Sequence, residues 1–462
     1  YFGMSDAPAG RPLAGVPRPY RFPRFERQRS HAVEVDVITA PVAKLPLVTI
    51  VALIDAGAAR DPVGGEGLAV LTAKLLMEGT ERHDGAALVD AFEQLGASVD
   101  VSAGWDSAAV TLTVLAHHVS PALLLLSEVI RHPAFRERDV SRLKAERAAE
   151  LLQMRADPRA LADESFGRLL YSSASRYAYP EAGGSRAVAG ITRDDITTFF
   201  RDHYTPDRLT IIVAGDVTHE LAREMVNEAF ADWTGRAGSA IQATDEATDE
   251  TRRIQIITKA DAPQSELRVG HRGVPRNHPD HFPLVVMNAI LGGLFSSRIN
   301  LNLREQHGYT YGAHSEFEWR RGAGPFVVAT AVESGVTADA TKEIVAELER
   351  IRTERVTEEE LSLATSYLEG VFPIRYETTA AIAGALAALV IYGHPADYFD
   401  AYRPHIQAVT REDVLRVARE HLHPDRLLIV AIGDATAIEP SMAGLELGPV
   451  TVTAADNPAT GA

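Results

Sequence analysis

The chain has 462 residues, a formal net charge of −17, 46% hydrophobic and 24% charged residues, and no cysteine. Its length supports two or three domains with substantial cores, and its acidic balance argues against nucleic acid or an anionic membrane as the main partner. Without cysteine there are no disulfides or thiolate metal sites, and without a run of about 18 apolar residues no membrane span is expected.

Tyr1–Met4 reads as the scar of a cleaved tag and is set aside from fold reasoning. The rest of residues 1–30 is Pro- and Arg-rich (PRPYRFPRFERQR), an extended arm expected to pack across a surface, its own or a partner's. Strands are predicted at His31–Ile38 and Leu47–Asp55, then a Gly/Asp/Pro loop at Gly57–Gly67 and an apolar helix at Leu68–Met77, ended by Glu78-Gly79. A helix at Ala86–Leu95, an alternating strand at Ser98–Ser102 and a strand at Ala108–Leu115 come next. Longer helices are predicted at Ser120–Arg131 and Glu137–Arg155.

An internal repeat organises the whole. Residues 191–218 (ITRDDITTFFRDHYTPDRLTIIVAGDVT) and 409–436 (VTREDVLRVAREHLHPDRLLIVAIGDAT) agree at nearly half their positions without a gap. Each copy reads as a Thr-capped amphipathic helix, a His/Pro/Asp turn and a buried strand ending in Gly-Asp. The chain is therefore two copies of one α/β domain, at residues 31–234 and 252–437. The polar, acidic stretch 235–251 is the expected linker, and 438–462 is a Gly/Ala/Pro/Thr-rich tail expected to be loosely held.

In the second copy, residues 290–317 read ILGGLFSSRINLNLREQHGYTYGAHSEF. A helical turn over Asn300–His307 is ended by Gly308, after which Tyr309, Tyr311, Ala313, Ser315 and Phe317 alternate as in a strand. Arg304 thus falls in the last turn of a helix, and Tyr311 enters the strand behind it. Such a pair could donate to a carbonyl or oxyanion. On residue chemistry alone the plainer reading is an Arg covering helix-end carbonyls and a Tyr filling core.

This segment resembles the C-terminal half of the pitrilysin/insulinase (M16) zinc peptidases, whose pattern there is LGGG-x-SSRL-xx-x-LRE-xx-GL-x-Y. The resemblance implies an α+β fold of two homologous M16-type (LuxS/MPP-like) domains, each a mainly antiparallel sheet with helices packed on one face. It puts Arg304 and Tyr311 on the family's arginine/tyrosine pair, which binds substrate backbone opposite the zinc. Active members carry H-x-x-E-H in the first domain, within GLAH-x-LEHM-x-x-GT. Here Gly67-Leu68-Ala69 and Gly79-Thr80 keep the flanks, but the chemical positions are Val70, Ala73 and Lys74. Valine and alanine offer no lone pair, and an ammonium repels a dication. The family's third ligand falls on Glu150, and an ion pair of Lys74 with Glu150 is expected in the space zinc would fill.

No metal site is therefore expected in this chain. The His278-Pro-Asp-His281 spacing reads as a turn, and His117-His118 as a solvated loop pair. The resemblance implies a non-catalytic, substrate-binding subunit of a heterodimeric zinc metallopeptidase, inactive alone and completed by a partner that bears H-x-x-E-H and holds the zinc. Peptide substrate would add as a strand to an edge, with Ser98, Val99, Asp100, Val101, Ser102 and Ala103 as the candidate. The alternatives are a structural scaffold homologue and a homodimeric peptide-binding chamber without hydrolysis. The expected compartment is cytoplasmic, or periplasmic if a signal peptide has been removed.

Overall fold

The computed structural model describes residues 20–30, 33–237 and 251–454. The tag-like residues Tyr1–Met4 and most of the linker lie outside that set.

Two six-stranded sheets carry the fold. The first contains β1 (Glu26–Arg29), β2 (Asp36–Pro41), β3 (Leu47–Ile54), β4 (Ser98–Ala103), β5 (Ala108–Leu115) and β6 (Leu209–Gly215), in the spatial order β1-β2-β6-β3-β5-β4. The second contains β7 (Arg253–Thr258), β8 (Gln264–Arg272), β9 (Ala313–Phe317), β10 (Pro325–Glu333), β11 (Leu428–Gly433) and β12 (Val450–Ala454), in the order β12-β7-β11-β8-β10-β9. Five strands of each sheet follow one plan. In each, a single pair inside that plan is parallel, β2/β6 or β7/β11, and the rest are antiparallel.

The repeat marks the middle of both sheets. Thr192 and Thr410 each close a reciprocal cap with the Asp three residues on, Asp195 and Asp413. The strands that follow, β6 and β11, are buried along their whole length, as central strands should be. Even a side contact repeats: Arg193 donates to Phe135 O, and Arg411 to Val356 O.

The copies differ at their sixth strands. Antiparallel β1 flanks the first sheet, and parallel β12 flanks the second. The predicted strand His31–Ile38 therefore needs correction at its start, of which His31 and Ala32 lie outside the described residues. Ser30 N bonds Val35 O, Glu34 adopts φ 55°, and the strand begins at Asp36. The stretch after Ala437 also departs from expectation. The helix Ala435–Ala443 buries Ile438 and Met442, and β12 then pairs with β7.

Each sheet packs its own helices on one face. The opposite face is covered by a helix from the other copy. Helix Pro158–Leu170 of the first half lays Leu161, Ala162, Phe166 and Leu170 on Val327, Leu428, Val430 and Ile432 of the second sheet. Helix Thr379–Tyr392 of the second half reciprocates, with Ile382, Ala383, Leu386 and Leu389 in one core with Ile38, Val51, Leu53 and Ile212. Its first residue, Thr379, bonds Thr49 of β3 at 2.8 Å.

The arm adds a third crossing. Phe22 leaves β1 to stack on Phe399 at 4.0 Å and to meet Tyr376 edge-on at 5.3 Å. Among the arm's described residues, Tyr20 and Phe22 pack on the chain's own second half. The run His281–Gln306 is long and apolar enough to cross a membrane by composition, but most of it is buried in the second domain's core.

Candidate functional site

Helix Leu68–Leu75 carries the degenerate positions. Gly67 begins it at φ 96°, where an added Cβ would stand 2.6 Å from Ala182 O, so glycine is needed there. Asp61 anchors the end: its Oδ2 accepts from Gly67 N at 2.8 Å and its Oδ1 from Ala69 N at 2.7 Å. Arg176, itself buried, lies 2.9 Å from Asp61 and also donates to the carbonyls of Tyr179, Pro180 and Glu181. Burial pushes the Asp61 carboxyl up to about 6 against the pull of Arg176 and the two amides, leaving it ionised at neutral pH. Neither residue was singled out from sequence. The visible signal was an acidic residue six positions before a helix-initiating glycine.

On that helix Val70 is half-buried, Ala73 is buried and Lys74 is exposed. Helix Glu137–Ala156 lies alongside, and Glu150 Oε1 stands 3.6 Å from Lys74 Nζ, with both side chains about half exposed (48% and 45%). Arg147 takes the other carboxylate oxygen at 3.2 Å while bonding the carbonyls of Ala182 and Gly183. One carboxylate between two cations, beside two aliphatic side chains, does not fit zinc.

Strand β4 lies against the same helix. It pairs only with β5 among the described residues, so its outer backbone edge is unpaired. Ser98, Asp100 and Ser102 are exposed, while Val99, Val101 and Ala103 are half-buried.

The Arg304 segment is held from several sides. The backbone turns helically at Arg298–Asn300 and widens to a π-type helix over Leu301–Gln306. Buried Arg298 makes a two-pronged bond to Glu360 at 2.6 and 2.9 Å. Asn300 ties the flanking loops together, donating to Phe295 O and accepting from Ala313 N. Gly308, at φ 68°, ends the helix by bonding Arg304 O. The Arg304 guanidinium rests over the Phe295 ring, 4.5 Å from its centre, with Glu305 at 3.6 Å.

Tyr311 does not enter the strand. β9 begins at Ala313, opposite Thr330 of β10. The alternation stops because Thr310 bonds Gly312 through both its hydroxyl donor and acceptor, and these local bonds displace the ladder. Tyr311 is 94% exposed, and its hydroxyl has no hydrogen bond among the described residues. Arg304 is positioned; Tyr311 projects into solvent.

Tyr311 and Phe295 stand on the rim of an open cleft of about 1060 Å³. Val327, Ala329 and Ala331 of β10 line it together with Phe166 and Asp163 of the exchanged helix Pro158–Leu170. Arg268 is buried there and engaged by Asp163 and Glu266, at 2.5 and 3.0 Å. Glu316 and Glu318 add further negative charge, and burial together with Glu318 raises the Glu316 carboxyl above its usual range.

Of the two histidine pairs, His117 and His118 stay together with ring centres 4.1 Å apart, whereas His278 and His281 part. His118 bonds Leu95 O beside His117. His281 is buried edge-on against Trp319, whereas His278 faces His421.

Two family models match the chain: "Insulinase (Peptidase family M16)" over residues 37–175, and "Peptidase M16 inactive domain" over residues 190–368. The chain is 22% identical over 313 residues to the uncharacterized zinc protease YmxG of Bacillus subtilis, covering 68% of this chain and 75% of that one. It is 22% identical over 427 residues to the non-peptidase homolog YmxG of Helicobacter pylori, covering 91% and 97%. A crystal structure titled as a peptidase M16 inactive domain from Pseudomonas fluorescens superposes with a TM-score of 0.82 at 25% identity, over 89% of this chain and 98% of that one. A protease from Helicobacter pylori superposes at 0.78 with 18% identity, over 89% and 99%.

Proposed function

This chain belongs to the M16 peptidase family as one of its inactive homologues, and we propose that it is the non-catalytic, substrate-binding subunit of a heterodimeric zinc metallopeptidase. The observation that carries this reading is the Lys74–Glu150 contact, with Arg147 on the same carboxylate, at the positions where the family's metal would sit. The zinc is assigned to the partner, which bears H-x-x-E-H.

This chain's contribution is to hold peptide. The open edge of β4 offers backbone donors and acceptors to an extended segment. Arg304, fixed over Phe295, supplies a charged donor for a substrate carbonyl, where a preorganised donor gains most as the oxygen becomes negative. Tyr311 adds a phenol that becomes ordered only when substrate or partner covers it.

A homodimeric peptide-binding chamber without hydrolysis is the second reading. The cleft of about 1060 Å³ beside Tyr311 offers such a chamber room for a peptide. We assign the chain to the cytoplasm, with the periplasm as alternative, to be decided by fractionation of the native cell. The test of function is a peptidase assay with and without an H-x-x-E-H partner. Stimulation above the partner alone supports the shared site, and no stimulation moves the assignment to the chamber or to a scaffold.

A further inference from the structure

The second domain carries a cluster unrelated to the degenerate zinc positions. His278 and Asp280 lie in the turn that starts helix His281–Asn288, and His421 ends helix Arg411–His421. One ligand atom from each of the three lies within 4.8 Å of the others, and all three residues are partly buried. His421 Nε2 is 2.8 Å from Asp280 Oδ2, and the rings of His278 and His421 stand edge to face with centres 4.8 Å apart. Glu420 brings a second carboxylate to 3.9 Å from His421 Nε2.

We propose that His278, Asp280 and His421 form a binding site for a divalent transition-metal ion of the zinc type. The donor set is two imidazoles and a carboxylate, the mixture such ions take when thiolates are absent. The support around it is also suitable. Arg416 grips Asp280 with both prongs, 2.7 Å to Oδ1 and 3.1 Å to Oδ2, and also bonds Glu420, so the carboxylate is oriented, and a metal on Oδ2 would displace the longer of the two contacts. With neutral imidazoles, Asp280, Glu420 and Arg416 sum to a net negative charge, which a cation would offset.

In the metal-free arrangement the His421 Nε2 proton occupies the space between imidazole and carboxylate. For a metal to take the Nε2 lone pair, the neutral ring exchanges to its Nδ1–H tautomer through solvent, so binding releases no net proton from His421. Tetrahedral bonds of about 2.0–2.1 Å need ligand atoms roughly 3.3 Å apart, so separations of up to 4.8 Å must close by as much as about 1.5 Å while the 2.8 Å His421–Asp280 pair opens by about 0.5 Å. The movement falls on side chains in a turn and at a helix end. A bound ion would fasten that turn to the end of helix Arg411–His421, two segments 141 residues apart in sequence.

The test is a titration of the full chain, stripped by chelator, with Zn²⁺ followed by calorimetry and with Co²⁺ followed by visible absorption. One equivalent is expected to bind, with the intense tetrahedral Co²⁺ spectrum and a raised Tm. His278→Ala and His421→Ala should each weaken binding at least tenfold, while His314→Ala, an exposed histidine on β9, should leave it unchanged. Absence of stoichiometric binding would overturn the proposal. So would binding that survives His278→Ala, or that is lost equally in His314→Ala. Should His421→Ala fail to fold, His278→Ala alone decides, since that side chain lies in a surface turn.

Discussion

Lys74 Nζ and Glu150 Oε1 meet at 3.6 Å across two helices. Both groups are about half exposed, and such pairs contribute roughly 0–1 kcal/mol. Lys74→Ala and Glu150→Ala should therefore each leave the denaturant midpoint nearly unchanged, with a coupling below about 1 kcal/mol in a double-mutant cycle. A coupling of several kcal/mol would mean that the pair is a structural element in its own right.

The purified chain should hydrolyse no peptide at any zinc concentration. Val70, Ala73 and the flanking cations leave no donor set at those positions, and binding at the His278 cluster would supply no second site for substrate beside it. Zinc-dependent turnover that survives His278→Ala would contradict the assignment.

In the assembled heterodimer, Arg304→Ala should lower kcat/KM by roughly 10- to 1000-fold, the scale of a lost oxyanion donor. Tyr311→Phe should cost less than Arg304→Ala, because no described residue hydrogen-bonds the phenol, which is 94% exposed. Equal rates for wild type and Arg304→Ala would make the arginine structural.

Glu360 gives the Arg304 segment a sensitivity to acid. Burial works to raise its carboxyl, but the Arg298 hydrogen bonds, the Thr357 amide and the Arg298 charge outweigh it and hold the group below the usual range. A lowered pKa contributes stability that is complete above the unfolded value and lost as pH falls through the folded one. Thermal scans from pH 6 downward should show that loss. Glu360→Gln should cost roughly 1–3 kcal/mol at neutral pH and flatten the acid limb. An unchanged acid limb would assign it to other carboxylates.

Phe166→Ala, in the helix laid across the second sheet, should cost about 3–5 kcal/mol, and Leu386→Ala in its counterpart about 2–5 kcal/mol. Because each helix belongs to one copy and covers the other, unfolding should remain a single transition in both variants. Two separated transitions would mean that the halves are independent.

How much of this was legible in the sequence follows from what sequence patterns encode. The repeat was readable because a capped helix, a turn and a fully buried strand must recur wherever the central strand recurs. The degenerate metal positions were readable only through the family resemblance, because Gly67-Leu68-Ala69 and Gly79-Thr80 keep the flanks of the H-x-x-E-H segment. The helix exchange was not, since an apolar helix such as TAAIAGALAALVIY has the same composition whichever sheet it covers. Tyr311 was misplaced because alternation continues through Thr310, whose hydroxyl bonds break the strand. The histidine cluster was hidden because His421 meets Asp280 only after the chain has folded back on itself.

The reciprocal helices also set a timetable for synthesis. When Gly215 completes the first sheet's central strand, the helix that will cover Ile38, Val51, Leu53 and Ile212 has not yet been translated. At about 5–20 residues per second, the ribosome needs roughly 10–30 s more to deliver it. For that interval an apolar sheet face stands bare on a nascent chain. The first half of this protein is therefore the part that most needs a chaperone, although it is made first.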